Sequence, residues 1–269
     1  MRRSRPLLGT YVEITADSSG IVEAGFAAVE RIQALLSAHD PKSELSRINC
    51  LAHRQDVEVS AETFAVLERA THWWRSSGGV FDVVAAGERS LAEARIPRHS
   101  AQPHPAERDF SIVTLDGRKV QLAGPACLDL GGIAKGYAVD EAVRAMRRCG
   151  ADRGLVNAGG DLYGFGAGPW SIVVVDPRTG RPVVNVPLHD EALATSACID
   201  GSSAHLPAGA DWLSVTVRAP NACDADALTK IVWAAPANVE ELLRGAGAHA
   251  FGIRPDGRIE EVGRPALAA

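Results

Sequence analysis

Leu128-Asp129-Leu130-Gly131-Gly132-Ile133-Ala134-Lys135-Gly136-Tyr137-Ala138-Val139-Asp140 runs an apolar, strand-like stretch through a Gly-Gly pair into a helical pattern, with a lysine in the first turn. Glycine lets a backbone come close to a ligand, and a new helix N-terminus offers unpaired N–H groups and a partial positive charge to an anion. Lys135 adds a full charge at the same place. These parts make a phosphate or pyrophosphate cradle. The spacing is neither the G-x-G-x-x-G dinucleotide fingerprint nor the G-x-x-x-x-G-K-[ST] loop. The same residues also suit a tight strand-to-helix turn with a surface lysine; a lysine in a helix's first turn is usually solvated, so with the cradle reading too the removal of Lys135 is expected to weaken ligand binding and leave the fold intact. The turn taken alone does not choose between the two.

Outward from this stretch the chain alternates elements without repeats or low-complexity tracts. Ala134, Ala138, Ala142, Ala145, Met146 and Cys149 stripe one helix face, and Gly150 stops that helix. Upstream, Tyr11 to Thr15 alternates as a strand, Val22, Phe26, Val29, Ile32 and Leu36 predict a helix over 21–38, and Phe64, Leu67, Ala70 and Trp74 predict another over 61–76. Residues 88–109 read as a surface excursion, and Ser111–Leu115 with Val120–Ala123 read as a hairpin through Asp116-Gly117. Downstream come a hairpin of Trp170–Val175 and Pro182–Leu188, a strand at Leu213–Val217, and a short helix at Asp226–Trp233. Asn238 with Glu241 suggests a capping box, and Phe251–Ile253 with Arg258–Val262 suggests a closing hairpin. Antiparallel pairs with interspersed helices predict an α+β fold rather than a doubly wound parallel sheet, and no linker divides residues 1–269.

Composition narrows the function. A chain of 269 residues that is 46% hydrophobic is long enough to bury a large core. Its net charge of −5 and dispersed basic residues argue against a nucleic-acid or anionic-membrane surface. The apolar run after Arg2, Arg3 and Arg5 is too short for a signal-peptide core or a membrane span, so the expectation is a cytoplasmic protein without membrane insertion. Cys50, Cys127, Cys149, Cys198 and Cys223 are odd in number and form no C-x-x-C, and the histidines show no metal-binding spacing.

Several blocks, taken in order, carry a resemblance. They are Gly9-Thr10, Pro41-Lys42-Ser43-Glu44-Leu45-Ser46-Arg47-Ile48-Asn49, Gly78-Gly79-Val80-Phe81-Asp82, the Asp129–Asp140 segment, Asn157-Ala158-Gly159-Gly160-Asp161, Ala194-Thr195-Ser196 and Ala225-Asp226-Ala227-Leu228-Thr229. From about residue 7 onward the chain resembles the FAD:protein FMN transferases, the ApbE-like proteins. The resemblance implies a single α+β unit of the T-fold-like type. It also implies an enzyme that splits FAD at its pyrophosphate, releases AMP, and joins FMN through phosphate to a Ser or Thr of a partner protein. Such partners include subunits of electron-transport complexes, and a homodimer stays open. Many members are exported, which would make the protein periplasmic if a leader preceded it.

Carried onto matching positions, the resemblance implies magnesium held by the Ala134 carbonyl, Asp226 and Thr229. Gly131, Gly132 and Lys135 would contact the phosphates. Asn49, Asp82, Asn157, Gly160, Asp161, Thr195 and Ser196 would line the flavin and ribityl pocket. Read without the family, Asp82 and Asp161 suit turn or cap carboxylates, and Asn157 suits a loop hydrogen bond.

Three departures fall on the catalytic half of this pattern. The family's metal motif places a Thr four residues after its Asp, whereas here Thr229 is at +3 and Lys230 at +4, where Lys230 could pair with Asp226. The family's His-containing stretch ending in I-D-P-x-T-G is replaced by a shorter Ile199–Asp211 segment. His205 is its only histidine and, with Asp226, the expected catalytic residue. Ala197 stands where the family's T-S-G loop has glycine. Two readings remain: an active transferase, or an FAD-binding protein or weak FAD pyrophosphatase with a degenerate transferase site.

Overall fold

The computed structural model of the chain describes residues 1–93, 108–198, 206 and 211–263. They form two compact units: one of residues 1–30 with 135–269, the other of residues 31–134.

The first unit is built on an antiparallel sheet of β1 (Arg2–Leu7), β2 (Thr10–Ala16), β6 (Gly154–Ala158), β7 (Asp161–Phe165), β10 (Glu191–Ala197), β11 (Ser214–Ala219), β12 (His249–Ile253) and β13 (Ile259–Val262), in that spatial order. Helix α1 (Ser19–Leu36) begins here and ends in the other unit, and α5 (Ala134–Arg148) follows the Gly-Gly turn. Gly25 of α1 lets Ile14 and Met146 close in, since a Cβ there would sit 2.8 Å from Ile14 Cδ1. Helix α6 (Ala222–Ala234) packs on β7, β10 and β11 and is buried from Ala222 to Trp233, its charged Asp224, Asp226 and Lys230 included. A separate ribbon of β8 (Trp170–Val175) and β9 (Pro182–Leu188) buries Val174, Val186 and Leu188 with Leu162 and Leu193. Helix α7 (Val239–Gly245) completes the unit.

The second unit holds α2 (Glu44–Leu51), β3 (Val57–Glu58), α3 (Ala61–Ser76), α4 (Val83–Ala92), β4 (Val113–Asp116) and β5 (Lys119–Leu122), with sheet order β3-β5-β4. Ser43 and Ser60 cap α2 and α3 by accepting from Ser46 and Thr63 amides. The β4–β5 hairpin turns through Gly117 (φ 49°) and Arg118 (φ 68°), a two-residue left-handed turn set one position later than Asp116-Gly117.

The α+β class and the antiparallel pairing follow the pattern of the sequence, and several local expectations are corrected. Among the described residues Leu128–Leu130 pairs with no strand: Asn49 accepts from the Leu128 amide and donates to its carbonyl, and the Val83 carbonyl accepts from the Asp129 amide, in place of a ladder. Helix α4 takes up the first part of the 88–109 stretch, because Asp82 caps it strongly, and residues 94–107 lie outside the described residues. Ala194-Thr195-Ser196 lies in β10 rather than a loop, and α6 starts at Ala222, four residues before Asp226. Asn238 makes no side-chain capping bond to α7.

Helices α5 and α6 are tied by Asp140, whose two oxygens accept from the Ala222 (2.8 Å) and Cys223 (2.9 Å) amides at the start of α6. Burial outweighs these bonds and raises its carboxyl to about 6 against an ordinary value of 3.8. The folded protein therefore holds this proton more tightly than the unfolded chain, and stability contributed at this position falls as pH rises through that window. Asp140→Asn should lose roughly 1–3 kcal/mol through an unpaired amide. Its deficit against the wild type, read by denaturant melts, should shrink as pH rises from about 4 to about 7.

Candidate functional site

The centre of the first unit's candidate site is an ion network. Asp226, on the first turns of α6, is fully buried. Its Oδ2 accepts from the Gly136 amide (3.2 Å) and from the Lys135 ammonium (3.4 Å), and its Oδ1 accepts from Lys230 Nζ. Lys230 also donates to the Asp226 carbonyl (3.1 Å), one helical turn back. Lys135 Nζ is shared with Asp161, a buried carboxylate at the start of β7. One ammonium thus bridges two carboxylates, and a second closes the outer oxygen of Asp226. The four groups sum to zero formal charge.

Burial pushes both carboxyls up, but Lys135 and Lys230 hold Asp226 well below the usual range. Asp161 stays raised by burial and by the neighbouring Asp226 charge, against the pull of the lysines. Burial would lower Lys135, yet Asp161 and Asp226 keep its ammonium above the ordinary value. This corrects the expectation of a solvated surface lysine: the Lys135 side chain is 29% exposed and pinned at both carboxylates.

Beside the network lie hydroxyls. Thr229 donates to the Asp226 carbonyl (2.7 Å) and pairs with Ser196 Oγ (2.7 Å), while Thr195 pairs with Thr216 (3.0 Å) across β10 and β11. Gly160, at φ 102°, receives the Thr195 amide on its carbonyl, and its own amide donates to Asn157 Oδ1 (3.0 Å). Asn157 therefore holds the β6–β7 turn that sets Asp161 in place. Gly136 admits α6 closely, since a Cβ there would stand 2.1 Å from the Ala222 carbonyl oxygen.

In the second unit the expected flavin residues do structural work. Asp82 caps α4, accepting from Val84 and Ala85 amides on one oxygen and from Phe110 on the other; burial raises its carboxyl against those bonds. Asn49 straps the stretch before the Gly-Gly turn, accepting from the Leu128 amide and donating to its carbonyl. Asp129 binds the Ser90 hydroxyl (2.7 Å) and accepts from the Gly131 amide (2.8 Å), so that amide is turned inward. Gly132 and Ala134 lead into α5. His205 and Asp200 lie outside the described residues.

A divalent cation was expected on Ala134, Asp226 and Thr229. The donor set as it stands does not fit one. Both Asp226 oxygens already accept from ammonium groups, and the Thr229 hydroxyl is spent on the Asp226 carbonyl and Ser196. A divalent ion on Asp226 would face Lys230 a few ångströms away, a repulsion on the order of 10 kcal/mol at an effective dielectric constant of about 20. Among the described residues no group of three or more His, Cys, Asp or Glu is placed to hold a metal ion. Lys230, noted in the sequence only as a departure, belongs to the site through its i,i+4 spacing from Asp226.

Fold and site together define a flavin-transferase-like α+β protein. A model of the ApbE family matches residues 8–251, and the chain belongs to the ApbE family. It is 28% identical to the FAD:protein FMN transferase of Treponema pallidum, over 96% of this chain and 85% of the relative. It is 27% identical to that of Haemophilus influenzae, over 80% and 72%. The crystal structure of the ApbE protein from Thermotoga maritima is similar with a TM-score of 0.84 and 27% identity, covering 97% of this chain and 96% of that one. The flavin transferase ApbE from Vibrio cholerae shares the fold, with a TM-score of 0.80 at 22% identity and the same coverage.

Removing the bridging ammonium should be costly. Lys135→Ala leaves two buried carboxylates facing each other with only Lys230 between charge and apolar core, and should lose roughly 3 kcal/mol at neutral pH, the low end for a broken buried pair. Protonating Asp161 relieves that repulsion, so a part of the loss should return as pH falls towards about 5. Denaturant melts at the two pH values check both signs.

Proposed function

We propose that this chain is an FAD:protein FMN transferase. It takes FAD, joins the FMN phosphate to a Ser or Thr hydroxyl of a partner protein, and releases AMP. The relatives named for this activity match most of the chain, and the observation that carries the reading is the Lys135 ammonium at the start of α5. It sits just beyond Gly131-Gly132 and is balanced by Asp161 and Asp226 until an anion arrives.

Phosphoryl transfer asks the protein for positioning and for positive charge at the phosphates. Lys135 supplies the charge and can leave its carboxylates for the diphosphate. The acceptor oxygen attacks the FMN phosphorus and the P–O bond to the AMP phosphate breaks. The bonding pair leaves with AMP, and the acceptor's hydroxyl proton passes to a base. Ser196 and Thr229, hydrogen-bonded to each other, place two hydroxyls beside Asp226. His205 is the candidate base, as histidine with an ordinary pKa of about 6.5 accepts a proton near neutral pH.

Incubation with FAD and a candidate acceptor, followed by intact mass, should show an FMN adduct on the acceptor and equimolar AMP. AMP without adduct would reduce the activity to FAD hydrolysis. FAD should bind more tightly than riboflavin in calorimetry, because riboflavin has no phosphate for Lys135 to hold. His205→Ala should lower transfer by at least ~10²-fold with FAD affinity unchanged; full transfer in that variant would move the base to the acceptor protein.

A further inference from the structure

Position 230 carries the feature the transferase reading does not use. A lysine buried in a helix needs a strong partner, because an unpaired ammonium away from water is very unfavourable. Lys230 is 6% exposed, and among the described residues its ammonium has two hydrogen-bond partners, both from the same residue: the Asp226 carboxylate oxygen Oδ1 and the Asp226 carbonyl. Those are a hard oxygen pair of the kind a divalent cation takes. The neighbouring hydroxyl, Thr229, donates to that same Asp226 carbonyl and pairs with Ser196. On the other side, Lys135 and the Gly136 amide fill Oδ2. The carboxylate is thus neutralised from within the chain, with an ammonium on each oxygen.

We propose that Lys230 is a built-in cation that replaces a divalent metal at Asp226, so that this chain binds the diphosphate of its dinucleotide substrate without magnesium. The proposal rests on the FAD reading for the identity of the ligand, and on the Asp226–Lys230 contact alone for the absence of a metal site. Lys230 keeps Asp226 charged and oriented towards Gly136 and Lys135. Lys135 remains the mobile cation that meets the phosphates. A threonine at position 230 would remove the ammonium and return a hydroxyl, which opens Oδ1 to a hard cation.

The two parts separate in experiment. Manganese titrations of the whole chain, followed by electron paramagnetic resonance, need no flavin. The wild type should show no manganese site that Asp226→Asn removes. Lys230→Thr should gain one site, and Lys230→Thr/Asp226→Asn should lose it again. A manganese site in the wild type that Asp226→Asn abolishes would overturn the proposal, as would a folded Lys230→Thr that gains none. If Lys230→Thr does not fold, the wild-type titration still decides. FAD affinity, measured by fluorescence in EDTA and in excess magnesium, should differ by less than about 2-fold in the wild type and by at least ~10-fold in Lys230→Thr. A wild type that binds FAD only with magnesium would overturn the proposal. FAD that binds under neither condition would instead count against the transferase reading, leaving manganese to judge Lys230.

Discussion

Helices α5 and α6 cap each other. The first amides of a helix have no partner inside it and must find one elsewhere. Here Asp140 of α5 takes the Ala222 and Cys223 amides of α6, and Asp226 of α6 takes the Gly136 amide of α5. In each helix a residue a turn or so inside supplies the carboxylate that its neighbour's start requires. The exchange works only if the two starts touch, and Gly136 has no Cβ to hold the Ala222 carbonyl away. Two positive helix ends close together would repel; the two carboxylates between them cancel that field. Everything chemical in the first unit hangs on this crossing, because it buries Asp226 where Lys135, Asp161 and Lys230 must answer its charge.

That burial explains why the site is a network. An isolated buried carboxylate would take up a proton, and two would repel. Lys135 holds both Asp161 and Asp226, and Lys230 takes the remaining oxygen. Lys135 is the member with solvent access, with a side chain 29% exposed against 7% for Lys230. Lys230 is held by a residue on its own helix and keeps its place whether or not ligand is bound.

Much of this was legible in the sequence, in proportion to how local the physics is. The α3 and α5 helices follow apolar stripes at helical spacing, and the β8–β9 ribbon follows alternation on either side of a turn-forming Asp176–Gly180 segment. Lys230 and Asp226 could be paired from i,i+4 spacing alone. What could not be read is contact across the chain. Nothing near Lys135 announces that Asp161, 26 residues on, and Asp226, 91 residues on, share its ammonium. Strands β7 and β10 do not alternate cleanly, because β7 is buried on both faces and β10 under α6, so their polarity pattern is lost. Asn49 and Asp82 carried a motif, yet their hydrogen bonds are spent on backbone: one straps Leu128 and the other caps α4.

The division of labour among those motif residues has a physical consequence for how the site tolerates change. Asn49 and Asp129 bind main chain at Leu128 and Gly131, so their loss would first loosen the segment that leads through Gly131 and Gly132, while Asp82 holds the start of α4. Gly87 reinforces that segment, because a Cβ there would stand 2.1 Å from the Cys127 carbonyl oxygen and push it away. Asp161, Lys135 and Asp226 bind one another through charge, so their loss leaves an uncompensated ion in a buried place. The first group shapes backbone within the second unit, and the second group sets the charge balance of the network in the first. The lysine at position 230 belongs to the second group. It stabilises Asp226 with one positive charge on a fixed stem, where a metal would have brought two charges and the freedom to leave.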